Sequence, residues 1–215
     1  MKLNSLTIDT NNSFTELCQL GIKYPTDKCV HNNGVNLHKH PYTPIYDMLF
    51  RPFKYLNITI GEIGILNNNS IKCWREYFET AFIYGFDSND NLLSSAKSEY
   101  ISKTSYHKID VNDISSIKSS LSLDEYDILI DDSTHEFKHH VNLLLVAHIY
   151  IRKGGMLIIE DIFRNEDEKK YEETLSEYEK YYSSGLFIIP EHVKRSSPGW
   201  NNDKLLILYR NDYVD

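Results

Sequence analysis

Short apolar runs alternate with amphipathic stretches along the chain from residue 58 onward. Residues 126–130 and 156–159 are mostly apolar, which is typical of parallel strands that are buried on both faces. Residues 70–80 instead place Ile71, Trp74 and Phe78 on one face at helical spacing. This alternation predicts an α/β fold with a Rossmann-like, doubly wound and mostly parallel sheet.

The same pattern places the individual elements. The predicted strands cover residues 58–63, 81–86, 106–109, 126–130 and 156–159. The predicted helices cover residues 70–80, 91–98, 115–121, 139–150 and 166–182. Residues 186–190 and 204–209 are predicted to form a closing antiparallel pair, which gives the sheet an antiparallel C-terminal strand.

Residues 1–56 lack this alternation. A short helix is compatible with residues 11–20, after which the pattern is interrupted by Pro25, Gly34, Pro41 and Pro44. Long connected loops inside a compact domain are usually functional or covering. We therefore predict that residues 1–56 form an N-terminal cap or lid on the same domain as residues 57–215.

Composition and charge narrow the class of protein. The chain has 215 residues, of which 41% are hydrophobic and 25% are charged, as expected for a single globular domain. The net charge of −8 argues against a nucleic-acid partner, because phosphate binding requires a local surplus of lysine and arginine. Residues 165–180 mix both signs and are interpreted as the solvated face of a helix.

Targeting and redox signals are weak. The first ten residues lack the apolar core of a signal peptide, and no run approaches the roughly 18 apolar residues of a membrane span. Three scattered cysteines, Cys18, Cys29 and Cys73, do not suggest a disulfide framework. These features predict a reduced, cytoplasmic protein without a membrane partner.

Acidic residues and one histidine follow two of the predicted strands. Residues 131–135 read Asp-Asp-Ser-Thr-His, and Glu160 and Asp161 follow the next strand. Ligands bind beyond the carboxyl ends of parallel strands, so adjacent strands would bring Asp132, Glu160, Asp161 and His135 to one edge. Carboxylate oxygens suit Mg²⁺, and a nearby histidine can take a proton from a metal-held hydroxyl. The structural alternative is that the acids cap helices and His135 has no chemical role.

Glycine and acidic residues also follow the first three predicted strands. Gly61 and Gly64 flank the end of the first strand just before a helix, where a backbone can approach a ligand closely. Asp87 ends the second strand at the position expected for a ribose-binding carboxylate, and Asp110 ends the third. The alternative for the glycines is a plain strand-to-helix turn.

With these motifs the chain resembles class I S-adenosylmethionine-dependent methyltransferases. More narrowly, it resembles the metal-dependent sugar O-methyltransferases of the mycinamicin and tetracenomycin type. The resemblance covers roughly residues 24–163, and its most specific parts are Asp-Asp-x-x-His and Glu-Asp. The matching residues are Thr26-Asp27-Lys28, His40-Pro41-Tyr42, Tyr46, Glu62-Ile63-Gly64, Trp74, Tyr77-Phe78, residues 83–87, residues 131–135, Gly154-Gly155 and Glu160-Asp161.

The resemblance implies a role for each matching position. It implies Mg²⁺ held by Asp132, Glu160 and Asp161, with His135 as general base and Asp132 as a second catalytic residue. The residues implied to bind S-adenosylmethionine are Glu62, Gly64, Ser70, Asp87, Asp110 and Asp131. His40, Tyr42 and Tyr46 are interpreted as lining the substrate or cofactor pocket from the N-terminal cap. The acceptor would be a sugar on a nucleotide, a glycan or a small molecule, and similar enzymes associate as homo-oligomers.

The chain departs from the family pattern at Asn68, where the family usually has a second glycine. Asn tolerates a left-handed backbone, although its side chain could crowd the methionine end of the cofactor. Ser133-Thr134 replaces the more common Gly-Ser, which is a milder change.

Three alternatives remain open. One is a catalytically degenerate cofactor-binding partner of another enzyme, which Asn68 suggests. A second is a non-haem metal oxygenase, which would require two histidines and one carboxylate. The third is a structural zinc site, whose donors would be Cys29, His31, His38 and His40.

Overall fold

Eight strands form one sheet in the computed structural model, which describes residues 2–34 and 37–214. Their bounds are β1 Asn4–Asp9, β2 Thr59–Ile63, β3 Phe82–Asp87, β4 Thr104–Lys108, β5 Tyr126–Asp131, β6 Ile151–Ile162, β7 Tyr182–Glu191 and β8 Lys204–Arg210. The order across the sheet is β1-β7-β8-β6-β5-β2-β3-β4. Of these strands, only β8 runs antiparallel to both of its neighbours. The predicted mostly parallel sheet with an antiparallel C-terminal strand is confirmed.

Helices cover both faces of the sheet. Their bounds are α1 Glu16–Lys23, α2 Thr43–Phe50, α3 Asn69–Tyr77, α4 Asp90–Ser98, α5 Ile114–Leu121, α6 Phe137–Leu144 and α7 Lys169–Leu175. Alternate residues of β5 enter two separate cores: Ile128 packs with α1 to α4, and Leu129 packs with α5 to α7. Burial on both faces explains why the central strands are apolar without alternation. Within the described residues, no helix has the length and apolar character needed to cross a membrane.

The N-terminal segment differs from the predicted irregular cap. Strand β1 joins the edge of the sheet, where it pairs in parallel with β7. Most of its side chains are exposed, so the sequence shows no buried run there. The predicted helix over residues 11–20 begins only at Glu16, and α2 was not predicted because Pro44 resembled a breaker. Pro44 instead lies in the first turn of α2, where proline has no hydrogen bond to lose.

The C-terminal helix prediction was also too long. In place of one helix over residues 166–182, α7 ends at Leu175 and a single 3₁₀ turn covers Glu179–Tyr181. Tyr171 and Leu175 are the only residues of α7 with buried side chains, so its apolar stripe is one turn long. The helix predicted over residues 139–150 is likewise shorter, since α6 ends at Leu144 and a 3₁₀ turn over Ala147–Ile149 leads into β6.

Candidate active site

The carboxyl ends of β2 and β5 lie side by side because Gly64 leaves room between them. The amide of Asp132 donates to the carbonyl of Ile63 at 2.8 Å. Gly64 has a φ of +91°, and a Cβ at this position would lie 2.0 Å from the carbonyl oxygen of Asp132. Only glycine accommodates both the left-handed backbone and this close approach. Gly64 therefore allows Asp132 to reach the edge of the sheet.

Strand β6 contributes two consecutive acids to the same edge through a β-bulge. Glu160 and Asp161 together oppose the single residue Leu205 of β8. Asp161 has a φ of 57°, in the left-handed region. In a regular strand, consecutive side chains point to opposite faces, whereas a bulge redirects one of them. Both carboxylates consequently contact the N-terminal segment.

A buried lysine lies among three of the acids. The side chain of Lys28 is 2% exposed, and its Nζ lies 2.8 Å from Glu160 Oε2 and 3.5 Å from Glu62 Oε1. The same ammonium forms an ion pair with Asp132 Oδ2. The other oxygen of Glu62 accepts a hydrogen bond from Trp74 Nε1 at 2.7 Å. The carboxylate of Glu62 is thus held by protein groups on both sides.

Burial and the ammonium act in opposite directions on these groups. Burial raises the pKa of Glu160 to about 8 and raises the pKa of Asp132 well above its usual value, while Lys28 lowers both. Burial would lower the pKa of Lys28, but Asp132, Glu160 and Glu62 together raise it well above its usual value. Lys28 is therefore an ammonium ion whose charge favours the carboxylate forms of its neighbours.

Two tyrosines of the N-terminal segment hold the bulged acids. Tyr42 Oη donates to Asp161 Oδ1 at 2.7 Å, and Tyr46 Oη donates to Glu160 Oε1 at 2.5 Å. Burial raises the pKa of both phenols well above the usual value, so both remain donors. The amide of Asn202 donates to Asp161 Oδ2 at 3.0 Å. The acids are therefore oriented before any ligand binds.

Two histidines face Asp161. His135 Nε2 lies 3.7 Å from Asp161 Oδ2, and His40 Nε2 lies 3.6 Å from the same atom. The loop after β5 turns His135 towards the acids with a φ of 60°. The Nδ1 atoms of both imidazoles are buried without a hydrogen-bond partner in the described part of the chain. The structure thus brings His135 to the acidic edge, as predicted.

The acids form two overlapping groups of metal donors. In each group, one donor atom per residue lies within 4.8 Å of the others; the groups are Asp132-His135-Asp161 and Glu62-Asp132-Glu160. The predicted trio of Asp132, Glu160 and Asp161 is therefore divided between two groups that share Asp132. The two carboxylates of the first group suit a hard divalent cation, whereas the imidazole of His135 is not a preferred ligand for such an ion.

The donors of the alternative zinc site do not form a metal-donor group among the described residues. Neither group contains Cys29 or His31, and His31 packs on His192 instead. His40 and His135 both face Asp161, but His40 belongs to neither group within residues 2–34 and 37–214, so carboxylates outnumber histidines in both described donor groups.

Three cavities follow one another along the strand ends. The first has a volume of about 140 Å³ and is lined by Ile63, Gly64, Asp87, Ser88, Ile109, Asp110, Val111, Asn112, Ser133 and Thr134. The second, of about 20 Å³, is lined by Thr26, Asp27, Lys28, Gly64, Ile65, Leu66, Asn67, Ser70 and Asp132. The third, of about 300 Å³, is lined by Asp27, His38, His40, Leu66, His135, Asp161, Trp200 and Asn202. Gly64 borders the first two cavities, and Asp27 and Leu66 border the last two.

These linings include most of the predicted ligand-binding residues. Gly64, Asp87 and Asp110 line the first cavity, and Ser70 lines the second. Glu62 and Asp131 line none of the three, and Asp131 instead accepts a hydrogen bond from Ser133 Oγ at 2.6 Å.

The three residues predicted to line the substrate or cofactor pocket lie in different places. His40 lines the third cavity, whereas Tyr42 and Tyr46 line none of the three cavities and instead donate hydrogen bonds to Asp161 and Glu160. Lys28 and Asn202 were given no role, although Lys28 stands in the matching motif Thr26-Asp27-Lys28.

Asn68 adopts the left-handed backbone that was expected of it. Its φ is 64° and its ψ is 13°, and it directly precedes α3. The side chain is 2% exposed and lines none of the three cavities. It is therefore turned into the protein and does not crowd the second cavity.

Comparison with known proteins identifies relatives for this arrangement. No protein-family model matches the chain. The chain is 28% identical over 131 residues to demethylmacrocin O-methyltransferase of Streptomyces fradiae, covering 58% of this chain and 32% of that protein. It is 26% identical over 134 residues to mycinamicin VI 2''-O-methyltransferase of Micromonospora griseorubida, covering 58% and 32%. The chain thus spans about a third of the length of these curated relatives.

A solved structure shows the same architecture. MycE methyltransferase from the mycinamycin biosynthetic pathway, in complex with Mg, SAH and mycinamycin VI, superimposes with a TM-score of 0.69. The alignment covers 93% of this chain and 55% of MycE at 21% identity. The chain therefore has the fold of the class I S-adenosylmethionine-dependent methyltransferases, and in sequence it resembles their sugar O-methyltransferases.

Proposed function

We propose that the chain is a Mg²⁺-dependent O-methyltransferase that transfers a methyl group from S-adenosylmethionine to a sugar hydroxyl. The observation that carries this proposal is the group Asp132-His135-Asp161, with donor atoms within 4.8 Å of one another, at the wall of a 300 Å³ cavity. Sugar O-methyltransferases among the relatives support the acceptor class. The acceptor would be a sugar of a nucleotide, a glycan or a glycosylated small molecule.

The first two cavities suit the cofactor. The carboxylates of Asp87 and Asp110 would accept hydrogen bonds from ribose hydroxyls in the first cavity. Ser70 and the backbone amides at the start of α3 would bind the methionine carboxylate in the second cavity. Asp131 would act through Ser133, whose hydroxyl it orients, and Glu62 would act through Lys28 and Trp74.

The third cavity and its acids suit the acceptor and the metal. Asp132, Glu160 and Asp161 would hold Mg²⁺ beside the third cavity. S-adenosylmethionine supplies an electrophilic methyl group, and bound Mg²⁺ lowers the pKa of a coordinated hydroxyl. His135 would accept the proton of the acceptor hydroxyl during methyl transfer. Asp161 would stabilise the resulting imidazolium, and no acid would be needed because a thioether leaves as a neutral group.

Calorimetric titration of the metal-free protein with S-adenosylmethionine and S-adenosylhomocysteine, without and then with Mg²⁺, tests this function. We expect micromolar binding of both cofactors, followed by methyl transfer to nucleotide sugars in an acceptor screen. Absence of cofactor binding under every metal condition would remove the methyltransferase proposal.

Trp200 forms an aromatic wall of the acceptor cavity. Its side chain is 47% exposed, it stacks on Phe163 at 5.7 Å, and its ring centre lies 6.0 Å from that of His135. An apolar ring face beside hydrogen-bonding groups is suited to the face of a sugar ring. We therefore expect Trp200 to contact the acceptor and not the cofactor.

Trp200→Ala is expected to raise the acceptor KM by roughly tenfold, because stacking contributes about 0.5–1.5 kcal/mol beyond the buried area. The dissociation constant of S-adenosylhomocysteine should remain unchanged. Trp200→Phe, which retains a ring, is the matched control and should lie near the wild type. Equal losses in both variants, or weakened cofactor binding, would contradict the assignment.

A catalytically degenerate partner protein is the competing function, and Asn68 was its main support. Because Asn68 already adopts the left-handed backbone, Asn68→Gly is expected to change the cofactor dissociation constant by less than about twofold. Calorimetry on both proteins measures this. A large gain in affinity in Asn68→Gly would show that Asn68 impairs the cofactor site and would favour the degenerate function.

A further inference from the structure

Lys28 stands between two of the residues implied to bind the metal. Its ammonium contacts Glu160 at 2.8 Å and forms an ion pair with Asp132. We propose that Lys28 is a resident counter-cation that competes with a divalent cation for Asp132 and Glu160. In this role it keeps the acidic edge folded without metal and sets the metal affinity. The inference rests on the metal-dependent function proposed above.

Three acidic side chains surround the ammonium of Lys28. Donor atoms of Glu62, Asp132 and Glu160 lie within 4.8 Å of one another, and Glu62 and Glu160 are 0% and 1% exposed. Three carboxylates this close repel each other strongly in a medium that screens poorly. Within the described ranges, no lysine or arginine other than Lys28 forms an ion pair with any of the three. Among the described residues, Lys28 therefore supplies the one ammonium that offsets the charge of this group.

The ammonium of Lys28 contacts carboxylate oxygens that a metal ion would also need. A divalent cation that binds Asp132 and Glu160 needs the same carboxylate oxygens that Lys28 contacts, namely Asp132 Oδ2 and Glu160 Oε2, or oxygens close beside them. Two cations cannot share this place without mutual repulsion. Metal binding must consequently displace the ammonium or work against its charge.

The backbone of Lys28 is held by hydrogen bonds, whereas its side chain borders the second cavity. The Lys28 carbonyl accepts hydrogen bonds from the amides of Tyr42 at 3.2 Å and Thr43 at 3.0 Å, at the start of α2. The side chain also lines the second cavity, together with Asp27. The flexible four-carbon stem would let the ammonium withdraw towards Asp27 without moving the helix.

Lys28→Met, which retains an unbranched side chain of similar length and removes the charge, tests the inference. Without metal, its melting temperature is expected to fall by roughly 10 °C, because breaking a buried ion pair costs several kilocalories per mole. Saturating Mg²⁺ should restore most of this loss, while the wild type gains less. Calorimetric titration with Mg²⁺ alone should show binding at least about tenfold tighter than in the wild type.

Lys204→Met provides a matched control. Lys204 is also buried, at 1% exposure, and its ammonium contacts Glu168 at 3.3 Å and the carbonyl of Glu166 at 3.0 Å instead of the acids around Lys28. Removal of the Lys204 ammonium should lower the melting temperature, and Mg²⁺ should not reverse this decrease. Its Mg²⁺ affinity should equal that of the wild type.

The possible outcomes separate the role of Lys28 from the proposed metal dependence. Folding of Lys28→Met only in Mg²⁺ would support the inference, as would Mg²⁺ binding by this variant but not by the wild type. Unchanged Mg²⁺ affinity in Lys28→Met beside normal binding by the wild type would overturn the role of Lys28 alone. Absence of Mg²⁺ binding in both proteins would overturn it together with the proposed metal dependence.

A second variant covers the case in which Lys28→Met folds under neither condition. Lys28→Met/Glu62→Gln removes one negative charge together with the positive one, so we expect it to fold. It should bind Mg²⁺ at least about tenfold more tightly than Glu62→Gln alone. Equal affinities in these two proteins would overturn the inference.

Discussion

His135→Ala is expected to lower kcat for methyl transfer by about 10²–10⁴-fold, the range for loss of a general base. His135 Nε2 lies 3.7 Å from Asp161 Oδ2 at the wall of the acceptor cavity, so its loss removes the proton acceptor there. Cofactor binding should remain near that of the wild type, because His135 does not line the first two cavities. Single-turnover kinetics with added imidazole would measure both the loss and its chemical rescue.

His40→Ala is the matched comparison, because His40 lies at nearly the same distance from the same oxygen of Asp161. His40 is 3% exposed and stacks on Tyr42, so it is oriented to support the pocket wall. We expect a rise in acceptor KM, with no rescue of kcat by imidazole. A larger loss of kcat in His40→Ala than in His135→Ala would transfer the role of base to His40.

The convergence of the acidic edge could be predicted because it depends on topology. Parallel strands end at one edge, so acids that directly follow apolar runs meet there wherever the strands are neighbours. β5 and β6 are indeed paired, and Asp132 and Asp161 come together as expected. The bulge that turns both Glu160 and Asp161 to this edge has no comparable signal, since it depends on the register with β8.

Contacts across long sequence distances could not be predicted in this way. Lys28 reaches Glu160 across 132 residues, and Tyr42 reaches Asp161 across 119. Nothing in the residues around Lys28 indicates that its side chain is buried, since lysine is usually exposed. Strand β1 was missed for the opposite reason, because its exposed side chains leave no apolar pattern at the edge of the sheet.

Gly64→Ala is expected to lower the free energy of unfolding by about 3 kcal/mol or more, through backbone strain at positive φ and displacement of a packed neighbour. The new Cβ would lie 2.0 Å from the carbonyl oxygen of Asp132, and this neighbour is backbone, which cannot turn away as a side chain could. Separating β2 from β5 would also move Asp132 and distort the first two cavities. Urea unfolding would measure the stability, and calorimetry should show at least about a tenfold loss of S-adenosylhomocysteine affinity, equal to 1.4 kcal/mol.

Gly199→Ala separates the two causes of this effect. Gly199 also has a positive φ, of +79°, but a Cβ there would meet no atom within 4 Å. Its loss of stability should therefore reflect backbone strain alone, at about 1 kcal/mol, with the cofactor affinity unchanged. If the two variants lost equal stability, strain would account for both, and the close approach of Asp132 to Gly64 would not be what holds the acidic edge together.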